Sequence, residues 1–446
     1  MKNKTIFKDF IKYVSLNILG QAVYSCYTLT DTFFVSYKLG TNGLTALNLA
    51  FPIFCIINGI GLMIGMGGGT KYSIYKSRKD NEKANKIFTN SLYISLFFSI
   101  ILVLTGLFFS KYIIKFLGAD DSVFEMTNTY AKVMLLFTPA FLLNSLLQCF
   151  VRNDGKPLFS MVAMVVGSLS NILLDYIFIF PLNMGIFGAI LATGISPIIS
   201  ILILCPYLIM RKNKFHLAKT KPNLTNIKNI LSSGFSPFLT EVTSGVVMFL
   251  FNFIILKISG NIGVAAFSVI TVISLVVIAI YTGLSEGIQP LISKKSGENK
   301  IVDIKILLRY SMITMIILSC IIYSITFLRA TDIASIFNSE KNATLQELSE
   351  TGLKIYFIAC PFIGFNIVLA TYFYSIEKPF FAQIISLARG FIILIPTAFL
   401  LSYIFKMMGV WSTYPVSEFI VTLIAVTLYI VNKRKQPSSK KKNWEK

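Results

Sequence analysis

The chain has 446 residues, of which 55% are hydrophobic and only 14% are charged, and its mean hydropathy is +0.72. This is more apolar than a soluble domain requires, so the composition indicates an integral membrane protein. The formal net charge of +21 does not indicate nucleic-acid binding, because Lys and Arg lie beside the ends of apolar runs and form no contiguous basic face. These runs of about 20 residues fit membrane-spanning helices.

Hydropathy predicts twelve spans along the chain. The predicted spans cover 12–37, 46–70, 88–110, 127–151, 158–181, 185–210, 229–257, 263–293, 304–328, 350–375, 380–404 and 408–432. The basic start resembles a signal peptide, but no small-residue cleavage site follows it, so it is expected to remain as part of the first span. Most of the 41 Lys and Arg residues fall on the side that carries both termini. We therefore expect a multi-pass protein of the bacterial plasma membrane with both termini in the cytoplasm.

The two halves of the sequence resemble each other. The glycines of LGTNGLTAL, Gly40 and Gly43, recur in the second half as Gly260 and Gly263 in SGNIGVAAF, and later landmarks such as Lys-Pro pairs keep nearly the same offset. Six spans per repeat give both halves the same orientation, related by an axis along the membrane normal. The predicted fold is all-α, with twelve transmembrane helices in two six-helix bundles arranged in a V around a central cavity.

The repeat also predicts the domain organisation. Residues 1–211 are expected to form an N-terminal six-helix bundle that couples to a cation, and residues 229–432 a C-terminal six-helix bundle. A cytoplasmic linker at 212–228, which contains the single histidine, is expected to join them. Residues 433–446 are expected to form a basic cytoplasmic tail. Rocking of the two bundles would expose the cavity to one side of the membrane at a time.

Intramembrane acids mark a candidate coupling site in the first half. Asp31 lies deep in the first span, and Asn171 and Asp175 lie one helical turn apart on the fifth. Their repeat counterparts carry no carboxylate. Two carboxylates in one low-dielectric pocket cannot both stay ionised cheaply, so one is expected to carry a proton. The same oxygens, with Thr193 on the next span, could instead surround Na⁺, and a purely structural role in helix packing is the third interpretation.

Four other ionisable residues lie in or near predicted spans, namely Glu241, Glu286, Arg389 and Glu418. No role is assigned to Glu286. Glu241 is the repeat counterpart of Gln21, so both could line the cavity and attract a cationic substrate. A salt bridge from Glu241 to Arg389 explains the glutamate equally well. Arg389 is also expected to pair with Glu418, because a lone buried charge is costly.

Several function classes lack their required residues. The GGGTK sequence at 67–71 does not have phosphate-loop spacing, and the six cysteines form no metal-ligand spacing. His216 is the single histidine, so the sequence has no histidine pair of the kind a metalloprotease uses. We expect no enzyme activity, no cofactor and no metal beyond Na⁺ at the coupling site. An ion gradient, worth about 2.3 kcal/mol per charge per 100 mV, remains as the energy source.

Motifs across essentially the whole chain resemble those of the multidrug and toxic compound extrusion (MATE) family, particularly its MepA-like branch. The segments that carry the resemblance are FVRNDGKP, NILLDYIFIFPLNMGIFGAILATGIS, EGIQPLIS, SLARGFIILIP and GVWSTYPVSE. Gly390 stands where the branch often has glutamine, and Tyr176 where proline is common. Glu241 lies about one turn from the position of a seventh-span glutamate that some members use.

The resemblance implies a V-shaped twelve-helix fold and export of drug-like, often cationic compounds driven by H⁺ or Na⁺. It also implies a cation-site role for Asp31, Asn171, Asp175 and Thr193. The predicted function is a secondary antiporter that exports small cationic, amphiphilic organic compounds by alternating access. It would act in contact with membrane lipids, as a monomer and without nucleic acid.

Three other functions are alternatives to the antiporter. A flippase for a lipid-linked saccharide or another amphiphile is the main alternative, although flippases usually carry more charge in the cavity and often have extra spans. An intramembrane enzyme lacks its catalytic residues here. A channel would need neither an ion gradient nor titratable residues midway through the membrane, and the two-bundle repeat argues against it.

Overall fold

The computed structural model describes residues 2–338 and 342–435, and this part of the chain is almost entirely α-helical, with no β-strand. Eight of its helices are long and apolar enough to cross a membrane, and a pair bent by 49° forms a ninth segment of this kind. Three of the long helices are each broken once and supply two spans. The described residues therefore contain twelve spans, as predicted. The predicted tail at 433–446 lies mostly outside the described residues.

Spans 1–6 form the first half of the molecule. They are residues 2–39 and 41–77 of the helix Lys2–Ser77, then Asn81–Phe108, the bent pair Phe124–Leu136 and Thr138–Asn153, Pro157–Ile179, and Gly185–Ile209. A short helix, Ser110–Phe116, lies between spans 3 and 4.

Spans 7–12 form the second half. They are residues 224–259 and 261–297 of the helix Leu224–Gly297, then Ile301–Leu328, Ala343–Tyr356 continued through the 3₁₀ turn Phe357–Ala359 into Cys360–Ser375, Pro379–Leu387 continued through the π-helical turn Ala388–Ile392 to residue 405, and 407–435. The short helix Ala330–Phe337 repeats the one after span 3.

In each half, the chain reverses direction at a glycine between the first and second spans. Gly40 has φ 64° and ψ −152°, and Gly260 has φ 59° and ψ −153°. This backbone region is open essentially to glycine alone, which explains why the repeat keeps a glycine at both positions. A Cβ on Gly43 would lie 3.0 Å from Cγ1 of Val35, whereas eight residues of a straight helix span about 12 Å. Spans 1 and 2 are therefore antiparallel neighbours.

The two halves meet mainly on one side of the membrane. We call this the linker side, because it carries residues 210–223, which connect span 6 to span 7. Gly287 of span 8 lies against span 1, where a Cβ would come within 2.8 Å of the Cα of Val14. Ile6 and Phe10 of span 1 also belong to the large apolar cluster of the second half. The hydrogen bonds between the halves extend from Asn58, midway along span 2, to the linker-side loops.

Spans 2 and 7 approach so closely that a side chain at the contact has no room. A Cβ on Gly67 would overlap the carbonyl oxygen of Ile230, and a Cβ on Gly234 would overlap that of Met63. We expect Gly67→Ala and Gly234→Ala each to lower the free energy of unfolding by about 1–3 kcal/mol or more, because the backbone has to move apart. Thermal unfolding of the purified variants in detergent measures this effect.

Gly245 provides the matched control, since it lies on the same span and faces span 2. A Cβ there would have its nearest neighbour at 3.5 Å, which is ordinary van der Waals contact. Gly245→Ala should therefore unfold at the wild-type temperature. Equal loss of stability at positions 234 and 245 would contradict the close approach of spans 2 and 7.

The linker is fastened to the first half by polar contacts. Asp154 accepts hydrogen bonds from the hydroxyls of Tyr72 and Tyr207, at 2.7 and 2.6 Å, and from the backbone N–H of Lys214 at 2.8 Å. Side chains of span 3 accept backbone N–H groups farther along the linker. Span 7 begins at Leu224, so the last five residues of the predicted linker, 224–228, are helical.

Phe215 anchors the linker in an aromatic cluster with Tyr72, Phe88 and Phe150. It is 1% exposed, whereas Leu217 two residues later is 73% exposed. Replacing a buried phenylalanine with alanine costs about 3–5 kcal/mol. We expect Phe215→Ala to release the linker and speed its cleavage by trypsin, and Leu217→Ala to leave the rate unchanged. Identical cleavage rates for the two variants would show that Phe215 does not hold the linker.

Candidate functional site

Asp31 and Asp175 come together inside the first half. Asp31 lies on span 1 and Asp175 on span 5, and both side chains are buried. Their carboxyl groups are within hydrogen-bond reach of each other. One oxygen of each, Oδ1, has no hydrogen-bond partner in the described structure. Two buried carboxyl groups in contact require a proton or a cation between them, because two adjacent buried negative charges repel strongly.

Asn171 and Thr193 complete the arrangement that the sequence predicts. Asn171 lies one turn before Asp175, and Thr193 projects from span 6. In the amide orientation that satisfies both groups, the Asn171 nitrogen donates to Asp175 Oδ2 at 3.0 Å and its oxygen accepts from the Thr193 backbone N–H at 3.2 Å. The four predicted residues therefore lie together, and their role in coupling remains a prediction.

Two tyrosines that the sequence analysis missed border the carboxyl pair. Tyr27 is buried one helical turn before Asp31, and Tyr130 reaches the site from span 4 and lies within hydrogen-bond reach of Thr193. The four-residue spacing from Tyr27 to Asp31 is a signal that sequence reasoning could have used. Nothing in the local sequence around Tyr130 indicates this contact.

A second polar region lies in a cavity at the contact between the halves. Glu241 of span 7 faces this cavity, and its Oε2 accepts a hydrogen bond from Asn58 of span 2 at 3.3 Å. Leu62 and Met66 are the cavity residues contributed by the first half. The other lining residues come from the second half: Ser236, Pro237, Thr240, Glu241, Thr282, Ser285, Glu286, Asn366, Ile367, Ala370, Thr371, Tyr374, Ile385, Ser386 and Arg389. Gln21 is half-buried in span 1 and is not among these residues, so its role in a substrate cavity stays a prediction.

Arg389 pairs with Glu418 and not with Glu241. Its Nε lies 2.5 Å from Glu418 Oε1, and both side chains are buried. The other carboxylate oxygen of Glu418 accepts from the Asn366 side chain at 2.7 Å. Of the two partners that the sequence allowed for Arg389, the structure therefore places Glu418 in contact. Glu241 is left with a neutral amide as its hydrogen-bond partner.

A family model described as MatE matches residues 17–177 and 238–400 of the chain. The chain belongs to the MatE family. The match falls once in each half, as the internal repeat requires. Asp31, Asn171 and Asp175 lie in the first matched segment of this MatE protein, and Glu241 and Arg389 lie in the second.

Curated relatives of this MatE chain are multidrug export proteins named MepA. The protein from Staphylococcus saprophyticus is 25% identical over 97% of this chain and 96% of its own length. The protein from Staphylococcus haemolyticus is 27% identical over 95% of this chain and 93% of its own length. The chain is thus a multi-span membrane transporter of MatE type.

Solved structures show the same twelve-helix fold. A multidrug resistance MATE family transporter of the MOP superfamily, solved in an outward-facing conformation, superposes with a TM-score of 0.89 at 22% identity, covering 95% of each chain. A MOP superfamily transporter from Pyrococcus furiosus, described as having a binding pocket of reverse polarity, gives the same score, identity and coverage.

Proposed function

We propose that this MatE transporter exports small, amphiphilic organic cations in exchange for H⁺ or Na⁺ by alternating access. The observation that carries the proposal is the buried contact between Asp31 and Asp175 within a transporter fold. Relatives named multidrug export proteins support organic compounds as substrates. Glu241 in the cavity, which has no cationic partner among the described residues, favours cationic ones. An intramembrane carboxylate without a cationic partner is a functional feature by default.

Coupling follows from the position of the carboxyl pair on two different spans. Binding of H⁺ or Na⁺ at Asp31 and Asp175 removes their mutual repulsion and holds spans 1 and 5 together. Asn171 on span 5 donates to Asp175 through its amide nitrogen, and Thr193 on span 6 supplies a hydroxyl oxygen next to it. Loss of the cation lets span 1 shift relative to its neighbours. Because span 1 also packs against span 8 of the second half, such a shift changes the contact between the halves.

The Lys and Arg distribution supports a cytoplasmic position for the linker side and for both termini. The staphylococcal relatives support a bacterial plasma membrane as the location. Residues 1–211 and 229–432 would move as two bundles, as the repeat predicts. The transporter would work as a monomer surrounded by lipid, because each chain contains both halves of the cavity.

Ethidium uptake into inside-out vesicles tests the proposed function. An H⁺ gradient and a Na⁺ gradient are imposed separately on vesicles with and without the protein. We expect one gradient to drive ethidium accumulation above the level of vesicles without the protein. If neither gradient drives transport of ethidium or other organic cations, the export proposal fails and the lipid-linked saccharide flippase becomes the leading alternative.

A further inference from the structure

Arg152 of the first half and Glu286 of the second half form an ion pair between the halves. Arg152 Nη1 lies 2.7 Å from Glu286 Oε2, and the side chains are only 1% and 5% exposed. The same nitrogen donates to Asn17 Oδ1 at 2.9 Å, whereas the Arg152 Nε has no hydrogen-bond partner in the described structure. The pair therefore sits in a water-poor contact, and the arginine has this ionic partner only while the halves touch.

Glu286 faces the same cavity as Glu241 and Arg389. Arg389 is neutralised by Glu418 within the second half, so it does not supply a free positive charge to the cavity. Glu241 is close enough to Glu286 for their charges to interact. Arg152 does not line this cavity, but it is the cation of the first half that contacts Glu286, one of the two acidic residues in the cavity lining.

Alternating access has to separate this pair. When the cavity opens on the linker side, the two halves move apart there, and Arg152 moves away from Glu286. Arg152 keeps its bond to Asn17, which belongs to the same half, and reaches water. Glu286 stays in the cavity. If the glutamate stays partly desolvated there, leaving it without a partner is costly, because a buried charge that loses its partner is uncompensated.

We propose that Glu286 binds the cationic group of the substrate when the cavity is open on the linker side, and that Arg152 displaces the substrate from Glu286 as that side closes. The inference rests on the proposed function and names the substrate-binding carboxylate. Glu286 is then paired in both states, with the substrate in one and with Arg152 in the other. A neutral or anionic compound would leave the carboxylate unpaired, so the exchange selects for cations.

A purely structural role for the ion pair makes a different prediction. If the pair only stabilises the contact between the halves, Arg152→Gln and Glu286→Gln break the same contact. Both variants should then change ethidium binding in the same direction. If Arg152 competes with the substrate, the two variants should change binding in opposite directions. Binding is measured by fluorescence anisotropy of ethidium with the purified full-length protein.

Glu377 supplies the matched control for a weakened contact between the halves. It accepts hydrogen bonds from Lys71 at 3.0 Å and from Arg78 at 2.5 Å across the contact, but it does not line the cavity. We expect Glu286→Gln to weaken ethidium binding about tenfold or more. Arg152→Gln should tighten binding, and Glu377→Gln should not weaken it.

The exchanged pair R152E/E286R keeps the proposal testable if a single variant fails to fold. The exchange retains opposite charges at the contact, so the protein should unfold near the wild-type temperature. Its cavity then carries an arginine in place of a glutamate, and ethidium binding should be lost. Retained binding in this variant, or equal weakening by Arg152→Gln and Glu286→Gln, overturns the inference. Wild-type protein that neither binds nor transports organic cations overturns the proposed function itself.

Discussion

Asp31→Asn and Asp175→Asn are each expected to reduce gradient-driven ethidium transport to the level of vesicles without the protein. Asparagine has nearly the size of aspartate but cannot exchange a proton, and it removes the negative charge that would hold Na⁺. The contact between spans 1 and 5 would then no longer depend on a bound cation. The gradient could therefore no longer drive the conformational cycle. Transport in inside-out vesicles under the effective gradient measures the result.

An exposed carboxylate of the same half provides the control for this experiment. Asp121 lies at the surface, and Asp121→Asn should transport ethidium at the wild-type rate. Comparable amounts of each variant in the membrane, and comparable unfolding temperatures, exclude a folding defect. Full transport by either Asp31→Asn or Asp175→Asn would show that the carboxylate is not needed for coupling.

Breaking the Arg389–Glu418 pair should cause a large loss of stability. Glu418→Gln leaves Arg389 buried and charged without its 2.5 Å partner, and removing one member of a buried ion pair costs about 3–5 kcal/mol. Replacing both residues with methionine removes both charges together, so R389M/E418M should be much more stable than Glu418→Gln. Thermal unfolding in detergent distinguishes the three proteins.

The exposed pair Arg329–Asp332 shows what a surface contact contributes by comparison. Its side chains are 72% and 63% exposed, and such pairs contribute about 1 kcal/mol at most. Asp332→Asn should therefore unfold close to the wild-type temperature. A double variant at positions 389 and 418 that is as unstable as Glu418→Gln would mean that packing, and not charge, dominates at this site.

Much of the fold could be predicted because the membrane restricts the available structures. Apolar runs of fixed length predict the twelve spans, and a repeated glycine in the same local pattern predicts the matching reversals at Gly40 and Gly260. The candidate coupling site was also accessible to sequence reasoning. Asn171 and Asp175 share one helix face, and an acid as deep as Asp31 needs a partner inside the protein.

The remaining features depend on contacts between distant segments. Span 2 was predicted to end at residue 70 but continues to Ser77, because hydropathy detects only the part of a helix inside hydrocarbon. Arg152 directly follows the predicted span 127–151, and only the packing of the two halves brings it to Glu286. Phe215 lies in the segment predicted to be a linker, yet its side chain is buried in an aromatic cluster.

The most direct test of the account is ion counterflow driven by the substrate alone. Purified protein is reconstituted into liposomes with equal H⁺ and Na⁺ on both sides, and an ethidium gradient is imposed. The account predicts that H⁺ or Na⁺ moves in the opposite direction to ethidium through the wild-type protein, and that this ion movement is absent in D31N/D175N. Ethidium movement without ion counterflow in the wild type, or counterflow that persists in D31N/D175N, would contradict coupling at this carboxyl pair.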